Sequence, residues 1–479
     1  MSGEGKMRMD RRMYGRRTER HIPAIPDPIE MNLFVRVLNN RILESTEQFK
    51  KQFASTGEKL GVNDSITGVR SLDFSSMPVR EEDLHPRLPD ESDYRLLSHF
   101  SSSSILDYDG KNHFAIHYRR CLYRLRLSAL KKKRFLPVVM AAGPACPVFE
   151  KLPFGNGFLA DVLLRRYAIG QSWSEISSDL SSRGLIIKES LLRSVCMKLG
   201  HRMWPLYSHL LSKVLSSRYI QIDDDSFDLR SGFLGSVERM GSLWCLADVA
   251  CRNAAFIYDM SINPKIVALS LLKDSNAIVQ GNCYDSLELC EGLGNLYLAA
   301  FWKPVKEKFQ AAINENNNLA SDALFMIDAV YSVEERLEKM EYDVNSRKAI
   351  REREAYPWIR KLENWMAVTV STAGLGPRLL DAILFTYKRI PMLTTYAKDG
   401  GMMIDGTFIE SAVSCVRNSL SDNKFCCSDS SDALCTAIFK SFASTCHLKG
   451  KDPWQWLSDT LAAISRPSFS TDDVSGLMP

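Results

Sequence analysis

The chain has 479 residues, 45% of them hydrophobic, and a formal net charge of only +4. That length accommodates about three domains with a large core. The charge is too small for bulk basicity to argue for a nucleic-acid partner, so local runs must carry that argument. No apolar run of about 20 residues is present, which argues against a membrane-spanning helix. The start is polar and basic with no apolar segment, which reads as no secretory signal. Twelve cysteines are scattered without a C-x-x-C pair and read as reduced, mostly buried thiols. No zinc site of four clustered ligands is recognisable.

In chain order, residues 1–30 are rich in Arg and Met and then broken by Pro23, Pro26 and Pro28, a pattern expected of a disordered tail. A helix is expected over 31–60, with Leu33, Val37 and Ile42 on one side. Residues 61–110 are rich in Ser, Pro and Asp and read as loop, with Ser101 to Ser104 as a polar tract.

From His117 to Leu127 the chain alternates: Cys121, Tyr123, Leu125 and Leu127 fall on one face and Arg120, Arg124 and Arg126 on the other. Arg119 lies in the same run, and Lys131, Lys132, Lys133 and Arg134 follow it. Basic residues interleaved with aromatics suit a nucleic-acid backbone; a solvated strand face is the other reading. Residues 157–200 are expected to be helical. Ser172 and Glu175 form a capping box, Gly184 stops that helix, and a second begins near Lys188. Two short helices about a tight turn make a helix-turn-helix candidate or a plain packing unit.

At Tyr219 the periodicity changes. Tyr219–Ile222, Ser242–Ala247 and Ala255–Tyr258 read as three successive strands, Pro264–Leu272 as a helix, and 277–280 and 296–301 as two more strands. The fold class is therefore α/β with a mixed sheet. Residues 302–400 read as helical, and the charges over 327–363, Glu334 and Arg351 among them, as a solvated face. Closing helices are expected at 405–418 and 429–464. Asp223, Asp224, Asp225 and Asp228 form either an exposed acidic turn at the end of a strand or part of a cation site.

Several segments in order resemble the insertion-sequence sixty-six family of bacterial transposases. Ile220–Asp225 is similar to its first acidic strand, Gly241–Trp244 to its "GxLW", Val330–Glu334 to its "LYxIE", Lys398–Glu410 to its "DGxxxIDNNxxER", and Ala437–Leu457 to its closing segment. The resemblance spans roughly 150–465. It implies an RNase-H-like DDE fold over 216–465 with a helical insertion at about 302–400, followed by a tail at 466–479. Upstream it implies a helical, helix-turn-helix-like DNA-binding region at 151–215 and a degenerate zinc-ribbon position within 111–150. It also implies a cytoplasmic, nucleoid-associated protein acting in transposition and DNA recombination on double-stranded transposon ends, without a membrane and with homo-oligomerisation open.

In such an enzyme Asp223, the residue at 282 and Glu410 are the catalytic set, and Asp223 and Glu410 are ligands for Mg²⁺ or Mn²⁺. Here the second position is Asn282, within Gln280–Tyr284, where the family has "QxDGY". An amide brings no charge. One unit charge at about 4 Å and an effective dielectric near 20 is worth about 4 kcal/mol, on the order of 10³-fold in occupancy or rate. The family's "CWAHxRRKF" reads Phe301–Phe309 without its Cys and His, and its cations after the Glu are replaced by Ser411 and Ser414. Two functions follow: a DNA-end-binding transposase with strand chemistry, or a catalytically inactive DNA-binding relative that regulates an element.

Overall fold

The computed structural model describes residues 74, 77–126, 138–142, 152–233, 236–259, 277–281, 297–371, 374–416, 424–426, 430–465 and 471–479. The expected tail at 1–30, the helix at 31–60 and the helix at 264–272 lie outside these residues. An N-terminal sheet joins β1 (Val79–Leu84), β2 (Tyr94–Tyr108), β3 (His113–Leu125) and β4 (Val138–Met140), with β3 central. β2 and β3 form an antiparallel hairpin, and β1 runs parallel to β3 on its other side.

The loop expected over 61–110 therefore gives way to strand at 79–84 and 94–108. Serine has weak strand preference, but pairing across the ladder overrides it. Register shifts between Leu96 and Ser98 and between Ser101 and Ser103 absorb the misfit as bulges. Gly110, at φ 87, makes the hairpin turn.

A helical layer follows: α1 (Asn156–Leu163), α2 (Trp173–Ser182) and α3 (Glu189–Leu215). Asp107 of β2 receives the Phe158 N–H at 2.9 Å, which fastens the N-terminal sheet to α1, and Trp454 near the C-terminus donates its indole N–H to the Gly157 carbonyl at 3.0 Å. The capping box of α2 forms as expected: Ser172 Oγ accepts from the Glu175 N–H at 3.1 Å, and Glu175 accepts from the Ser172 N–H at 2.7 Å. Gly184, at φ 85, closes that helix as the Leu185 N–H reaches back to the Leu180 carbonyl.

The second sheet comprises β5 (Tyr219–Phe233), β6 (Ser236–Asp248), β7 (Asn253–Asp259), β8 (Ile278–Gly281) and β9 (Tyr297–Ala300), in the order β7-β6-β5-β8-β9. β5, β6 and β7 are antiparallel neighbours; β8 joins β5 in parallel and β9 joins β8 in parallel. Alternation along β6 separates two cores. Leu243, Cys245 and Ala247 pack with α1 and α3, while Trp244 and Leu246 pack with Ile220, Ile222 and Val279.

The acidic run does not end the strand at residue 223. β5 continues to Phe233, and its register on β6 slips between Asp223 and Phe227. A bulge, not a turn, accommodates the extra residues there.

The helical insertion is α4 (Lys303–Ala311), α5 (Asn317–Lys339), α6 (Val344–Ile350), a π-wound turn at Arg351–Ala355, α7 (Tyr356–Thr369) and α8 (Pro377–Lys398), with its own apolar core. After it come α9 (Thr407–Ser414), the short β10 (Lys424–Cys426) on β5, α10 (Ser430–Leu448) and α11 (Pro453–Ile464). α10 covers the edge of β7. Ser441 Oγ accepts the Phe256 N–H at 2.7 Å, and Thr445 Oγ1 accepts the Ala254 N–H at 3.1 Å while donating to its carbonyl at 3.0 Å. These hydroxyls satisfy groups that an open edge strand would offer to another chain. Among the described residues no helix is long and apolar enough to cross a membrane.

Candidate functional site

Asp223 lies on the central strand β5, half-buried, directly opposite the buried Cys245 of β6. Residues opposite one another in an antiparallel pair share a face. Cys245 belongs to the core that holds Ile409, Ala412 and Val413, so Asp223 is on the face that receives α9. Burial pushes the Cys245 thiol well up, and Asp223 and Cys415, just past α9, push it the same way. Gln221, two residues earlier and on the same face, fixes α9: its Oε1 accepts the Ile409 N–H at 3.1 Å. Glu410 is the next residue, in the first turn of α9 and exposed.

β8 ends at Gly281, whose register partner is Ile222, the residue before Asp223. Asn282 itself lies outside the described residues.

Gln221 belongs to a buried amide network. Its Nε2 donates to Tyr219 Oη at 2.9 Å, to Gln280 Oε1 at 3.3 Å and to the Asp405 carbonyl at 3.3 Å. Tyr219 also donates to Gln280 Oε1 and accepts the Met403 N–H at 3.2 Å. Gln280 Nε2 reaches the Met403 carbonyl at 3.0 Å. The segment leading into α9 is thereby tied to both β5 and β8. Burial pushes the Tyr219 hydroxyl up to about 12, so it stays a donor.

Two further clamps hold this segment from the insertion. Asp405 accepts the Lys303 N–H at 2.7 Å and the Tyr331 hydroxyl at 2.8 Å. Burial raises the Asp405 carboxyl, with Tyr331 and the Lys303 backbone opposing. Arg351, fully buried in the π-wound turn, donates to the Asp399 carbonyl at 2.5 Å and the Met402 carbonyl at 2.9 Å. Its Nε meets Glu334 Oε2 at 2.9 Å, and Arg347 and Tyr396 also bond Glu334. Burial pushes the Glu334 carboxyl up, but Arg351, Tyr396 and Arg347 more than reverse this and leave it below the ordinary range. The expected solvated face at 327–363 thus fails at Glu334 and Arg351. Both face inward, where Arg351 bonds the Asp399 and Met402 carbonyls and Glu334 balances its charge.

Sequence reading missed Lys303, Gln221, Gln280 and Arg351. Gln221, Gln280 and Lys303 stood inside quoted segments, as did Tyr331 and Glu334, but no role had been read for any of them. The Lys303 ammonium donates to Glu410 Oε1 at 2.9 Å and Oε2 at 3.0 Å, a pairing that raises the lysine's affinity for its proton.

Of the candidate DNA contacts, Arg119 is paired with Asp83 and Glu81, at 2.8 and 2.5 Å, and Arg120 Nε donates to the Ala141 carbonyl at 2.7 Å. Arg124 and Arg126 are exposed, and Arg126 Nε also reaches the Tyr94 carbonyl at 3.2 Å. Lys131, Lys132, Lys133 and Arg134 lie outside the described residues.

The family model described as Transposase IS66 family matches residues 151–419. A protein of Sinorhizobium fredii (strain NBRC 101917 / NGR234), described as uncharacterized protein y4qI, is 22% identical over 357 residues, covering 71% of this chain. The chain spans 65% of that relative's length. No solved structure matches. The matched stretch covers more than half of the chain and runs from α1 to just past α9, Asp223 and Glu410 included: the chain belongs to the IS66 transposase family.

Proposed function

We propose that this chain is a transposase-like protein that binds double-stranded DNA at the ends of a mobile element, on an RNase-H-like scaffold derived from a metal-dependent DDE strand-transfer enzyme. The observation that carries the reading is the docking of α9 onto β5 through Gln221 and Ile409, which brings Glu410 to the face of the sheet that bears Asp223. The strand order β7-β6-β5-β8-β9, three strands antiparallel and two parallel, supports the RNase-H-like assignment. Exposed Arg124 and Arg126, with the α2–α3 pair as a helix-turn-helix unit, supply the DNA-facing surface. A bacterial cytoplasmic, nucleoid-associated setting goes with this reading.

A second reading, that strand chemistry is lost, is favoured by one observation. Both oxygens of Glu410 already accept hydrogen bonds from the Lys303 ammonium. In this reading the set is one half-buried carboxylate, one neutral amide at Asn282 and one carboxylate neutralised by lysine. That donor set does not fit a pair of Mg²⁺ or Mn²⁺ ions, which need several anionic oxygens. Lys303 here acts as a positioned surface cation: its backbone N–H is held by Asp405 and its ammonium ties α4 to α9.

The test of the DNA reading is a salt titration of binding to labelled terminal inverted repeats flanking the gene, beside unrelated duplex. Tighter binding to the repeats, with affinity falling steeply as salt rises, is expected. Absence of binding even at low salt would overturn it.

A further inference from the structure

We propose that Asp83, His99 and Cys121, on three adjacent strands of the N-terminal sheet, form a binding site for a divalent transition-series ion of the Zn²⁺ class. β3 is the middle strand. Its antiparallel pairing with β2 sets Cys121 opposite His99, and its parallel pairing with β1 sets Arg119 opposite Asp83. Residues 119 and 121 are two apart on a strand and share a face, so an oxygen, a nitrogen and a sulfur donor converge there. One ligand atom from each lies within 4.8 Å of the other two.

His99 Nδ1 is 3.5 Å from Cys121 Sγ and 3.5 Å from Asp83 Oδ1. Ordinary Zn–S, Zn–N and Zn–O bond lengths in a tetrahedron put ligand atoms about 3.3–3.6 Å apart. Two edges of the tetrahedron are therefore near bonding size before any ion enters, and the third, from Asp83 to Cys121, is within 4.8 Å. Cys121 is buried, whereas the side chains of His99 and Asp83 keep 38% and 29% of their exposure. An ion can enter from the solvent side and keep water at its fourth position, as in an open three-ligand site.

The donor set decides the ion. Thiolate and imidazole select Zn²⁺ or Co²⁺ over Mg²⁺ and Ca²⁺. Binding forms a metal–sulfur bond, and the displaced thiol proton goes to solvent. Arg119 bonds both oxygens of Asp83, Nε to Oδ1 at 2.8 Å and Nη2 to Oδ2 at 3.2 Å; a carboxylate oxygen has a second lone pair for an ion, and Arg119 becomes an outer-sphere partner that orients the group. Its charge opposes the ion, but thiolate and carboxylate together outweigh it by one unit. The three ligands come from positions 16 and 22 residues apart, so no spacing motif announces them.

The test uses the full chain and Co²⁺ as an optical probe, followed by competition with Zn²⁺. The expected result is one equivalent of Co²⁺ giving a thiolate charge-transfer band that Zn²⁺ abolishes. Cys121→Ser should remove the band, and His99→Ala and Asp83→Asn should each weaken binding at least about tenfold. Metal-free unfolding curves check that each variant folds, and any two of the three suffice. No band in the native chain, or a band that survives the His99 and Asp83 substitutions undiminished, overturns the proposal. A band that survives Cys121→Ser assigns the sulfur to another cysteine and overturns it equally.

Discussion

The ammonium of Lys303, at the start of α4, donates to both carboxylate oxygens of Glu410 on α9, at 2.9 and 3.0 Å. Both side chains are about half exposed, at 45% and 50%, so the pair contributes less than about 1 kcal/mol to stability. In the reading that strand chemistry is lost, its weight is electrostatic, because it sets a positive charge on the carboxylate that a divalent ion would need. Replacing Asn282 by Asp should therefore restore little Mn²⁺ binding alone. Adding Lys303→Met to Asn282→Asp should tighten it at least about tenfold, since one unit charge at close range is worth about a kcal/mol or more even when well solvated. Calorimetric titration of the two variants checks this, and equal affinities would contradict it. Adding Glu410→Gln to the tighter variant should abolish the gain; if it does not, Glu410 is not the ligand.

Gln221 ties α9 to the sheet. Gln221→Leu removes the acceptor of the Ile409 N–H and strands the partners of its amide. A buried polar group left unpaired costs about 1–3 kcal/mol. The expected loss on denaturant unfolding is in that range, with faster hydrogen exchange at the Ile409 amide. Unchanged protection there would show that α9 is held by its apolar face alone.

The Arg351–Glu334 pair is buried, so breaking it should be severe. Arg351→Met leaves Glu334 without its principal partner and strips two carbonyls of the segment before α9, at a cost of about 3–5 kcal/mol. Its pH dependence has a definite sign. The Glu334 carboxyl is held below its ordinary value, so its contribution is fully present above the unfolded value of about 4.3 and is lost as pH falls through the lower folded value. The stability gap between the native chain and Glu334→Gln should thus shrink on going from pH 7 into that acid range. A gap that stays constant in urea unfolding would contradict the assignment.

The β7 edge is sealed by hydroxyls. Thr445→Val removes both bonds to Ala254, leaving a buried N–H and carbonyl unpaired, and should cost about 1–3 kcal/mol. Valine matches the volume, so chemical denaturation reads the hydrogen bonds and not a cavity. A change below about 0.5 kcal/mol would mean water replaces the hydroxyl.

Much of the α/β core was legible because its strands are short apolar runs with period two. Tyr219–Ile222, Ser242–Ala247 and Ala255–Tyr258 all fall within observed strands. The helical character of 303–398 was legible from its patterning, and Ser172 and Gly184 mark the ends of α2 through capping chemistry that acts within a few residues. Strands β1 and β2 were not legible, because a serine tract forms a strand only when a partner supplies the ladder. Nor was the inward turn of Arg351, since charge alone does not tell a solvated arginine from one that satisfies buried carbonyls. At the site, Asp223 and Glu410 stood out by motif. Gln221, Gln280 and Lys303 lay inside quoted segments, but their roles did not show, because those come from contacts made across 20 to 188 residues of chain.

The proposal is DNA-end binding by a member of the IS66 transposase family, with strand chemistry lost in the second reading. The most direct measurement incubates the native chain with labelled element ends and Mn²⁺, and reads the bound complex and the cleaved or joined strands in the same sample. The expected result is a salt-sensitive complex with the ends and no strand products. Cleaved or joined strands from the native sequence, or no complex at low salt, would contradict it.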